Sequence, residues 1–259
     1  MITSPHNPTI KAVRRLQAQR RKREETQQFV IEGVRLFEEA ARAGIAPRLI
    51  LHTTGLDIRS RAAFDALAAL GGDVHAVSPS ALAAASDTET PSGLLAVVPF
   101  PRFPQPPSLS FVLVCDRIAD PGNLGTILRT ADAAGVEAVF LAPGTVDAYN
   151  PKVVRAAMGA HFHLPVLATT WEELHMQLRG LTAWLADSAG GERYDRVDWT
   201  QPHALIIGSE AEGPSEAAHR FAAQRVHIPM PGRAESLNAA VAAGVLMFEA
   251  ARRRQRNSR

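Results

Sequence analysis

The pattern of apolar positions predicts a mainly parallel α/β sheet in the second half of the chain. Residues 111–115 and 204–207 are continuous apolar runs, and residues 136–141 form a third candidate strand. Runs of this kind are typical of strands that are buried on both faces of a parallel sheet. The alanine-rich stretch at residues 81–85 predicts a helix in the first half.

A turn and a helix follow the strand at residues 111–115. Residues 120–123 have the sequence Asp-Pro-Gly-Asn, which is typical of a turn, and Asn123 is a candidate helix cap. Gly135 is a candidate helix stop before the next strand. Arg129 then lies near the middle of the helix, about two turns after the cap. An arginine in such a position is ordinarily a solvated surface residue.

A loop bounded by two glycines follows the strand at residues 204–207. The spacing of Gly208 and Gly213 is like the start of a phosphate-binding P-loop, but Pro214 stands where the lysine belongs. Glu210 would also repel a phosphate, so a nucleoside triphosphate is a poor ligand for this loop. A nucleoside with a positive centre is a better one, because ligands of open α/β sheets bind at strand ends.

The third notable segment is a proline-containing loop that leads into an apolar helix. Two prolines and a glycine between residues 228 and 232 prevent a regular helix or a central strand there. Ser236 or Asn238 can cap the helix predicted over residues 239–252. In that helix alanines separate the larger side chains, which favours close packing. The segment is therefore a candidate ligand-binding loop that leads into a buried helix. The alternative is an ordinary connection between a strand and a helix.

Length and composition indicate two compact domains. The chain has 259 residues, of which 46% are hydrophobic, and this is enough for two cores. Residues 99–108 contain five prolines and predict a semi-rigid extended linker. We therefore predict a first domain at residues 1–98, this linker at 99–108, and a second domain at 109–256.

Basic residues are concentrated at the start of the chain. Residues 1–23 include no acidic residue and seven basic ones: Lys11, Arg14, Arg15, Arg20, Arg21, Lys22 and Arg23. Such a cluster suits a nucleic-acid backbone, and the formal net charge of only +2 means that affinity must come from clustered charge. A solvated helix face or a disordered arm is the alternative. The basic run at residues 252–259 has the composition of a solubilising tail.

Cysteine and histidine usage gives no sign of a metal site. Cys115 is the only cysteine, so neither an intrachain disulfide nor a cysteine-based zinc site is expected. His161 and His163 are two residues apart, and in a strand they would face opposite sides.

The chain has no apolar stretch of about twenty residues and no signal-peptide pattern. These observations predict a soluble cytoplasmic protein.

Taken together and in this order, the three segments resemble the signature motifs of the SpoU, or TrmH-type, RNA ribose 2′-O-methyltransferases of the SPOUT superfamily. Residues 120–129 resemble motif 1, residues 208–213 motif 2 and residues 228–238 motif 3. Residues 150–160 are similar to the family's connecting segment, with Ala157 where a serine is common. The resemblance covers essentially the whole chain.

The resemblance also implies a fold and an activity. Residues 4–11 and 29–33 resemble the start of the family's N-terminal SpoU substrate-binding domain, a small α/β RNA-binding module similar to RNA-binding ribosomal proteins. A SPOUT α/β-knot, with a mainly parallel sheet and a deep trefoil knot, is expected to follow it. The implied reaction transfers a methyl group from S-adenosylmethionine to a ribose 2′-hydroxyl, and the implied assembly is a homodimer. The basic first domain favours 23S ribosomal RNA over tRNA.

The resemblance further implies roles for individual residues. Arg129 is expected to be the central catalytic residue, with Asn123 and Glu210 as its organisers. The catalytic set also includes Ser236 and Asn238. The expected cofactor-binding set is Gly208, Ile228, Met230, Ser236, Leu237, Asn238 and Ala240. The expected RNA-binding set is Asn7, Lys11, Arg14, Arg15, Arg20, Arg21, Arg23 and Arg129, and no metal is expected.

Alternatives are open for the role of Arg129 and for the function. Family proposals make this arginine a general base, but a guanidinium is almost never deprotonated in proteins, so it can instead bind a phosphate and polarise the hydroxyl. The function can also be that of an inactive RNA-binding or assembly protein, or of a SPOUT enzyme that methylates a base. Against the inactive protein stands the presence of Asn123, Arg129, Glu210, Ser236 and Asn238. Against the base-methylating enzyme stands motif 1, with its Asn123 and Arg129.

Overall fold

The computed structural model describes three stretches of the chain: residues 1–104, 108–210 and 212–257. Residues 105–107 of the predicted linker lie outside them, as do residues 258–259 of the second basic run. Within the described stretches, no helix is both long and apolar enough to cross a membrane. The same stretches contain no group of three or more His, Cys, Asp and Glu side chains that could hold a metal ion.

The chain forms two compact units that are not separated at a single point. The first unit consists of Met1–Arg102 and Tyr149–His163, and the second of Phe103–Ala148 and Leu164–Arg259. The segment Tyr149–His163 therefore lies between two parts of the second unit in sequence but folds with the first. The predicted boundary at residues 99–108 would assign this segment to the second domain, at residues 109–256. The boundary itself stays a prediction.

Among the described residues, the first unit contains a four-stranded sheet in the order β1-β4-β2-β3. Its strands are β1 (Gln28–Glu32), β2 (Leu49–His52), β3 (Asp73–Ala76) and β4 (Leu94–Pro99). β4 is antiparallel to β1 and β2, whereas β2 and β3 are parallel. The helices before residue 102 are α1 (Pro8–Ala18), α2 (Arg20–Thr26), α3 (Val34–Arg42), α4 (Ile58–Ala68) and α5 (Pro79–Ala85). α5 confirms the helix predicted from the alanine-rich stretch.

Helices cover both faces of this sheet. Phe29 and Ile31 of β1 belong to a core that includes residues of α3 and α4, whereas Val30 between them belongs to a core with α1 and α5. Successive side chains of a strand point to opposite faces, which explains this division. The first unit thus has its own hydrophobic interior on each side of the sheet.

The second unit contains, in its described part, a seven-stranded sheet in which every neighbouring pair is parallel, in the order β7-β6-β5-β10-β8-β11-β9. Its strands are β5 (Phe111–Cys115), β6 (Ala138–Leu141), β7 (Val166–Ala168), β8 (Thr182–Ala186), β9 (Glu192–Arg193), β10 (His203–Ile207) and β11 (Gln224–His227). The remaining helices are α6 (Pro121–Ala134), α7 (Pro151–Ala157), α8 (Trp171–Gln177), α9 (Glu216–Phe221) and α10 (Ala239–Asn257), of which α7 belongs to the first unit. The predicted parallel α/β sheet is confirmed.

The centre of this sheet is the pair β5 and β10. Every residue of both strands is buried, as predicted from their continuous apolar runs. The strand order changes direction here, since β6 and β7 lie beyond β5 whereas β8 and β11 lie beyond β10. In open parallel sheets such a switch point leaves a crevice at the carboxyl ends of the strands, where ligands bind. The loops that contain motifs 1 and 2 begin at this crevice.

The segment Tyr149–His163 is part of the hydrophobic interior of the first unit. Val154 of α7 and Phe162 belong to the same core as Phe29. The ring of Tyr149 stacks on that of Phe100, with a centroid distance of 3.7 Å. Residues at the start of the predicted linker are therefore packed, and β4 itself extends through residue 99.

The two histidines of this segment do not lie in a strand, so that assignment was wrong. A turn of 3₁₀ helix spans Ala160–Phe162 after Gly159, whose φ of 103° suits a glycine. His161 is buried within the turn. His163 follows it, and its Nε2 lies 3.2 Å from Oε2 of Glu39 on α3.

The last helix is longer than predicted and includes most of the second basic run. α10 continues five residues beyond the expected end at residue 252. Arg253 donates a 2.6 Å hydrogen bond to the carbonyl oxygen of Asp195, and Arg254 donates one of 2.6 Å to the hydroxyl of Ser110. The interpretation of this run as a solubilising tail was therefore wrong for Arg253 and Arg254, which fix the end of the helix to the second unit.

Candidate functional site

α6 begins with a different cap from the one predicted. Asp120 Oδ1 accepts a 2.7 Å hydrogen bond from the backbone N–H of Asn123, so Asp120 is the cap and Asn123 lies in the first turn. Pro121 occupies the first helical position, where its fixed φ is favourable. Gly135 ends the helix with a φ of 76°, as predicted. The earlier cap leaves the side chain of Asn123 available for other contacts.

Three side chains, one from each predicted motif, bind one another: Asn123, Glu210 and Asn238. Glu210 Oε2 accepts hydrogen bonds of 3.0 Å from Asn123 Nδ2 and 2.8 Å from Asn238 Nδ2. Asn238 Nδ2 also donates to Asn123 Oδ1 at 2.9 Å. Two amides thus orient one carboxylate and stabilise its negative charge by hydrogen bonding. We refer to these three residues as the Asn–Glu–Asn cluster.

Asn238 also caps α10, which decides between the two candidate caps. Its Oδ1 accepts hydrogen bonds of 3.0 Å from the backbone N–H of Ala240 and 3.3 Å from that of Val241. Ser236 is exposed in the preceding loop. Because the cap uses the side-chain oxygen of Asn238, its amide nitrogen is left for the Asn–Glu–Asn cluster.

A cleft opens at the carboxyl ends of β8, β10 and β11, with α10 as a further wall. Five residues of the expected cofactor set line it: Gly208, Ile228, Met230, Ser236 and Leu237. Glu210 lines it as well. The cleft and the Asn–Glu–Asn cluster therefore share a residue, and both belong to the second unit.

Two members of the expected cofactor set, Asn238 and Ala240, do not line the cleft. Asn238 is occupied in the Asn–Glu–Asn cluster, and Ala240 is buried with its N–H bound to the Asn238 side chain. α10 instead contributes Ala239, Ala242 and Leu246 to the cleft. These positions share one helix face. Ala239 thus lines the cleft where Ala240 was expected, and a contact of Ala240 with the cofactor stays a prediction.

The cleft also contains residues that sequence reasoning missed. Asp187 and Ser188 follow β8, and His227 is the last residue of β11. The carboxylate of Asp187 lies 3.6 Å from the guanidinium of Arg225. A signal was present in the sequence, since residues 181–191 are an apolar run followed by Asp-Ser-Ala-Gly-Gly. This is the same pattern of strand and polar loop that marks motif 2.

Arg129 and Ser236 are not bonded to the Asn–Glu–Asn cluster, although Ser236 lines the same cleft as Glu210. Arg129 is six residues after Asn123, about 9 Å along the axis of α6, and its side chain is exposed. Neither Arg129 nor Ser236 forms a side-chain hydrogen bond or an ion pair with another residue of the described stretches. The expected contact of Arg129 with its organisers Asn123 and Glu210 is absent from these stretches. An exposed guanidinium of this kind is available for an anion outside the protein.

Of the expected RNA-binding residues at α1, the three cations within the helix are exposed, whereas Asn7 just before it is half-buried. Asn7 caps the helix, with its Oδ1 accepting a 2.8 Å hydrogen bond from the backbone N–H of Thr9. Lys11, Arg14 and Arg15 lie on the solvent side of α1. Within the described residues these three side chains have no hydrogen-bond or ion-pair partner. We call them the α1 cation stripe.

The expected RNA-binding residues of α2 are in a different situation. Arg20 and Arg21 each form a 2.7 Å ion pair with the glutamate four residues later. Arg23 is only 3% exposed, and its guanidinium donates to backbone carbonyls near the end of α1. Arg23 is therefore corrected from an RNA-binding to a structural residue, because its charge satisfies the last carbonyl groups of a helix.

Thiol chemistry is not available in the centre of the sheet. Cys115 is the last residue of β5 and is fully buried. Burial, with a smaller effect from the neighbouring charge of Asp116, raises the pKa of its thiol to about 12. The thiol thus stays protonated at neutral pH, and the site offers amide, hydroxyl, carboxylate and guanidinium groups.

Comparison with known families identifies the second unit and the first. The model of the SpoU rRNA Methylase family matches residues 110–248. The chain belongs to the SpoU rRNA methylase family. A second model, the MRM3-like substrate binding domain, matches residues 7–96. The family resemblance predicted from the three motifs and from the first domain is confirmed.

Individual SpoU relatives are similar over nearly the whole chain. The 23S rRNA (guanosine(2553)-2'-O)-methyltransferase RlmP of Bacillus subtilis (strain 168) is 34% identical over 250 residues, or 95% of this chain and 97% of that protein. The AdoMet-bound rRNA methyltransferase from Sinorhizobium meliloti has a similar structure, with a TM-score of 0.83, 32% identity and 97% coverage of each chain. The SpoU methyltransferase AviRb from Streptomyces viridochromogenes, in complex with AdoMet, gives a TM-score of 0.82 at 31% identity, covering 98% of this chain and 100% of that one. The predicted α/β fold of the SpoU type is confirmed.

Proposed function

We propose that this protein is an S-adenosylmethionine-dependent methyltransferase that methylates a ribose 2′-hydroxyl of 23S ribosomal RNA. RlmP is named for this reaction, and so is a relative from Streptomyces viridochromogenes that is 33% identical over 268 residues. The observation that carries the proposal is the Asn–Glu–Asn cluster, which joins the three motifs at the cleft. The two relatives are named for different nucleotides, so the proposal ends at the RNA.

The cleft has the properties that this cofactor requires. Apolar side chains of the motif 3 loop line it, while Glu210 provides a carboxylate that favours a positively charged ligand. Prolines at positions 229 and 231 fix the loop backbone, so its donors and acceptors can recognise the edge of an adenine. S-adenosylmethionine, when bound, would supply the methyl group from its sulfonium centre, and the neutral thioether S-adenosylhomocysteine would be the leaving group. Gly208, Ile228, Met230 and Leu237 would hold it.

Catalysis by this chain consists mainly of positioning the ribose and assisting the loss of its proton. Arg129 stays charged, because guanidinium groups are not deprotonated in proteins. It binds a phosphate or a ribose oxygen of the RNA and polarises the 2′-hydroxyl, a role that needs no deprotonation. The Asn–Glu–Asn cluster orients Glu210 in the wall of the cleft, and Ser236 adds a hydroxyl group.

Replacing Arg129 by alanine tests this assignment. Because the side chain is exposed and forms no bond within the described residues, we expect Arg129→Ala to keep the melting temperature and the affinity for S-adenosylmethionine. Methyl transfer should be abolished. The measurement combines calorimetric titration of the cofactor with transfer of labelled methyl groups to total RNA, followed by nuclease digestion and mass analysis of the nucleosides.

Arg220→Ala is the matched control, since Arg220 is an exposed arginine on α9 of the same unit. It should retain activity. Retained turnover in Arg129→Ala would remove Arg129 from the active site. A labelled base instead of a labelled ribose would favour a base-methylating enzyme, and cofactor binding by the wild type without any transfer would favour an RNA-binding protein.

We further propose a homodimer and a deep trefoil knot in the second unit. An apolar stripe on α10 supports the dimer: Val241 and Phe248 are each 52% exposed, and Val245 lies between them on the same face. The knot rests on the family resemblance. The predicted domains, 1–98 and 109–256 with the linker 99–108, and the cytoplasmic location are kept as predictions.

A further inference from the structure

Asp116 follows β5 directly and is fully buried. Its Oδ2 accepts a 2.6 Å hydrogen bond from the backbone N–H of Ser215, and its Oδ1 accepts one of 3.0 Å from the Ser215 hydroxyl. Its own backbone N–H donates to the carbonyl oxygen of Ile207 at 2.9 Å. Ile207 and Ser215 lie directly before and after the loop that contains motif 2. Asp116 therefore binds both ends of this loop.

The motif 2 loop is tightly closed between these two points. Ser209 and Gly213 form an isolated antiparallel bridge, and Glu210 lies between them in sequence. A Cβ atom added to Gly208 would lie 2.7 Å from the Cα of Pro214. The start and end of the loop are thus in direct contact, and the position of Glu210 depends on how the two ends are held.

A second residue from the same strand end contacts the loop. Arg117 forms an ion pair with Glu212. Its φ of 58° is uncommon for a residue other than glycine. Both side chains of this pair are partly exposed, so the pair contributes little on its own. The buried carboxylate of Asp116 is the stronger contact.

We propose that Asp116 is a positioning residue for methyl transfer, acting through the motif 2 loop. It places Glu210 within reach of Asn123 and Asn238, and it fixes the cleft wall at Gly208. The inference rests on the proposed function. A carboxylate accepts from both donors of Ser215 with its two oxygens, whereas an amide has one oxygen and leaves the proton of the Ser215 hydroxyl without this acceptor.

The test measures cofactor binding by the full chain. Asp116→Asn leaves a donor of Ser215 without an acceptor, so we expect the Kd for S-adenosylmethionine to rise about tenfold and kcat to fall. Calorimetry separates this effect from misfolding, because the stoichiometry reports the folded fraction and the Kd reports the loop. Ser215→Ala should raise the Kd less than Asp116→Asn does. Ser215→Thr keeps both donors and should have the wild-type Kd.

Thr145→Val is the matched control. The hydroxyl of Thr145 donates a buried 2.9 Å hydrogen bond to the carbonyl oxygen of Cys115, one residue before Asp116. Its loss should lower the melting temperature and leave the Kd unchanged. The inference is overturned if Thr145→Val raises the Kd as much as Asp116→Asn, or if Asp116→Asn keeps the wild-type Kd.

Two further outcomes are distinguishable. If Asp116→Asn does not fold, the comparison of Ser215→Ala with Ser215→Thr decides, and equal Kd values overturn the inference. If the wild-type chain does not bind S-adenosylmethionine at all, the proposed function fails before the role of Asp116 is reached.

Discussion

At the scale of single residues, equal charges in the first unit have different surroundings. The α1 cation stripe has no partner among the described residues, whereas Arg20 and Arg21 on α2 each bind a glutamate one turn later. Exposed ion pairs of this spacing stabilise a helix by only about 0.3–0.5 kcal/mol. They nevertheless cancel the charge that a phosphate backbone would meet. We therefore expect RNA affinity to come from α1 more than from α2.

Two triple variants with equal loss of charge test this expectation. Lys11→Gln, Arg14→Gln and Arg15→Gln together should weaken binding of an rRNA fragment and reduce the slope of log Kd against log salt by about 2 to 3. Arg20→Gln, Arg21→Gln and Lys22→Gln together should change both much less. Fluorescence anisotropy over a salt series gives both values. Equal weakening by the two triples would mean that only the total charge matters.

At the scale of elements, α10 links the cleft, the core and an exposed surface. Asn238 caps it and joins the Asn–Glu–Asn cluster, while Leu246 lines the cleft. Gly244 faces α6, and a Cβ atom added there would be in ordinary van der Waals contact with the methyl group of Thr130, at 3.6 Å. The sequence predicted close packing for the whole helix, but Phe248 is half exposed. An uncovered apolar stripe on such a helix favours a second copy as its partner.

Phe248→Glu is expected to convert a dimer into a monomer, because a charge within the apolar stripe cannot be buried without a partner. Light scattering at working concentration measures the change in mass. Met176→Glu is the control: Met176 is 69% exposed on α8, away from the stripe in sequence, and its replacement should leave the mass unchanged. A wild-type chain that is monomeric at this concentration would remove the dimer proposal.

At the scale of the whole molecule, the chain passes between its two units three times. In sequence, Tyr149–His163 lies between two parts of the second unit, but it packs into the hydrophobic core of the first. Besides its apolar contacts, it forms a 3.0 Å ion pair from Arg155 to Asp87 and the contact of His163 with Glu39. The first unit is therefore required for the packing of a segment that the linear domain division assigns to the catalytic domain.

Removal of residues 1–102 should consequently expose Val154 and Phe162. We expect the shortened chain to bind a hydrophobic dye and to melt at a lower temperature than the full chain. Val154→Ser with Phe162→Ser in the shortened chain should reduce the dye binding, which identifies its source. A shortened chain with a sharp melting transition and no dye binding would show that the segment packs without the first unit.

Several elements could be predicted from the sequence because their causes are local. The continuous apolar runs of β5 and β10, the left-handed stop at Gly135 and the irregular loop at residues 228–238 all follow from side-chain type and backbone freedom. The cap of α6 was misplaced because both Asp120 and Asn123 are good capping residues. Only the contacts of Asn123 with distant residues decide which of the two is free to cap.

The sequence by itself determined the family, the parallel sheet and the residues of the three motifs, since each of these depends on residue type and order. Only the tertiary structure decided which of them meet. It joined Asn123, Glu210 and Asn238, left Arg129 outside, and buried Arg23. Those outcomes depend on how separate strands and helices pack, and a one-dimensional pattern contains no distance between residues that are far apart along the chain.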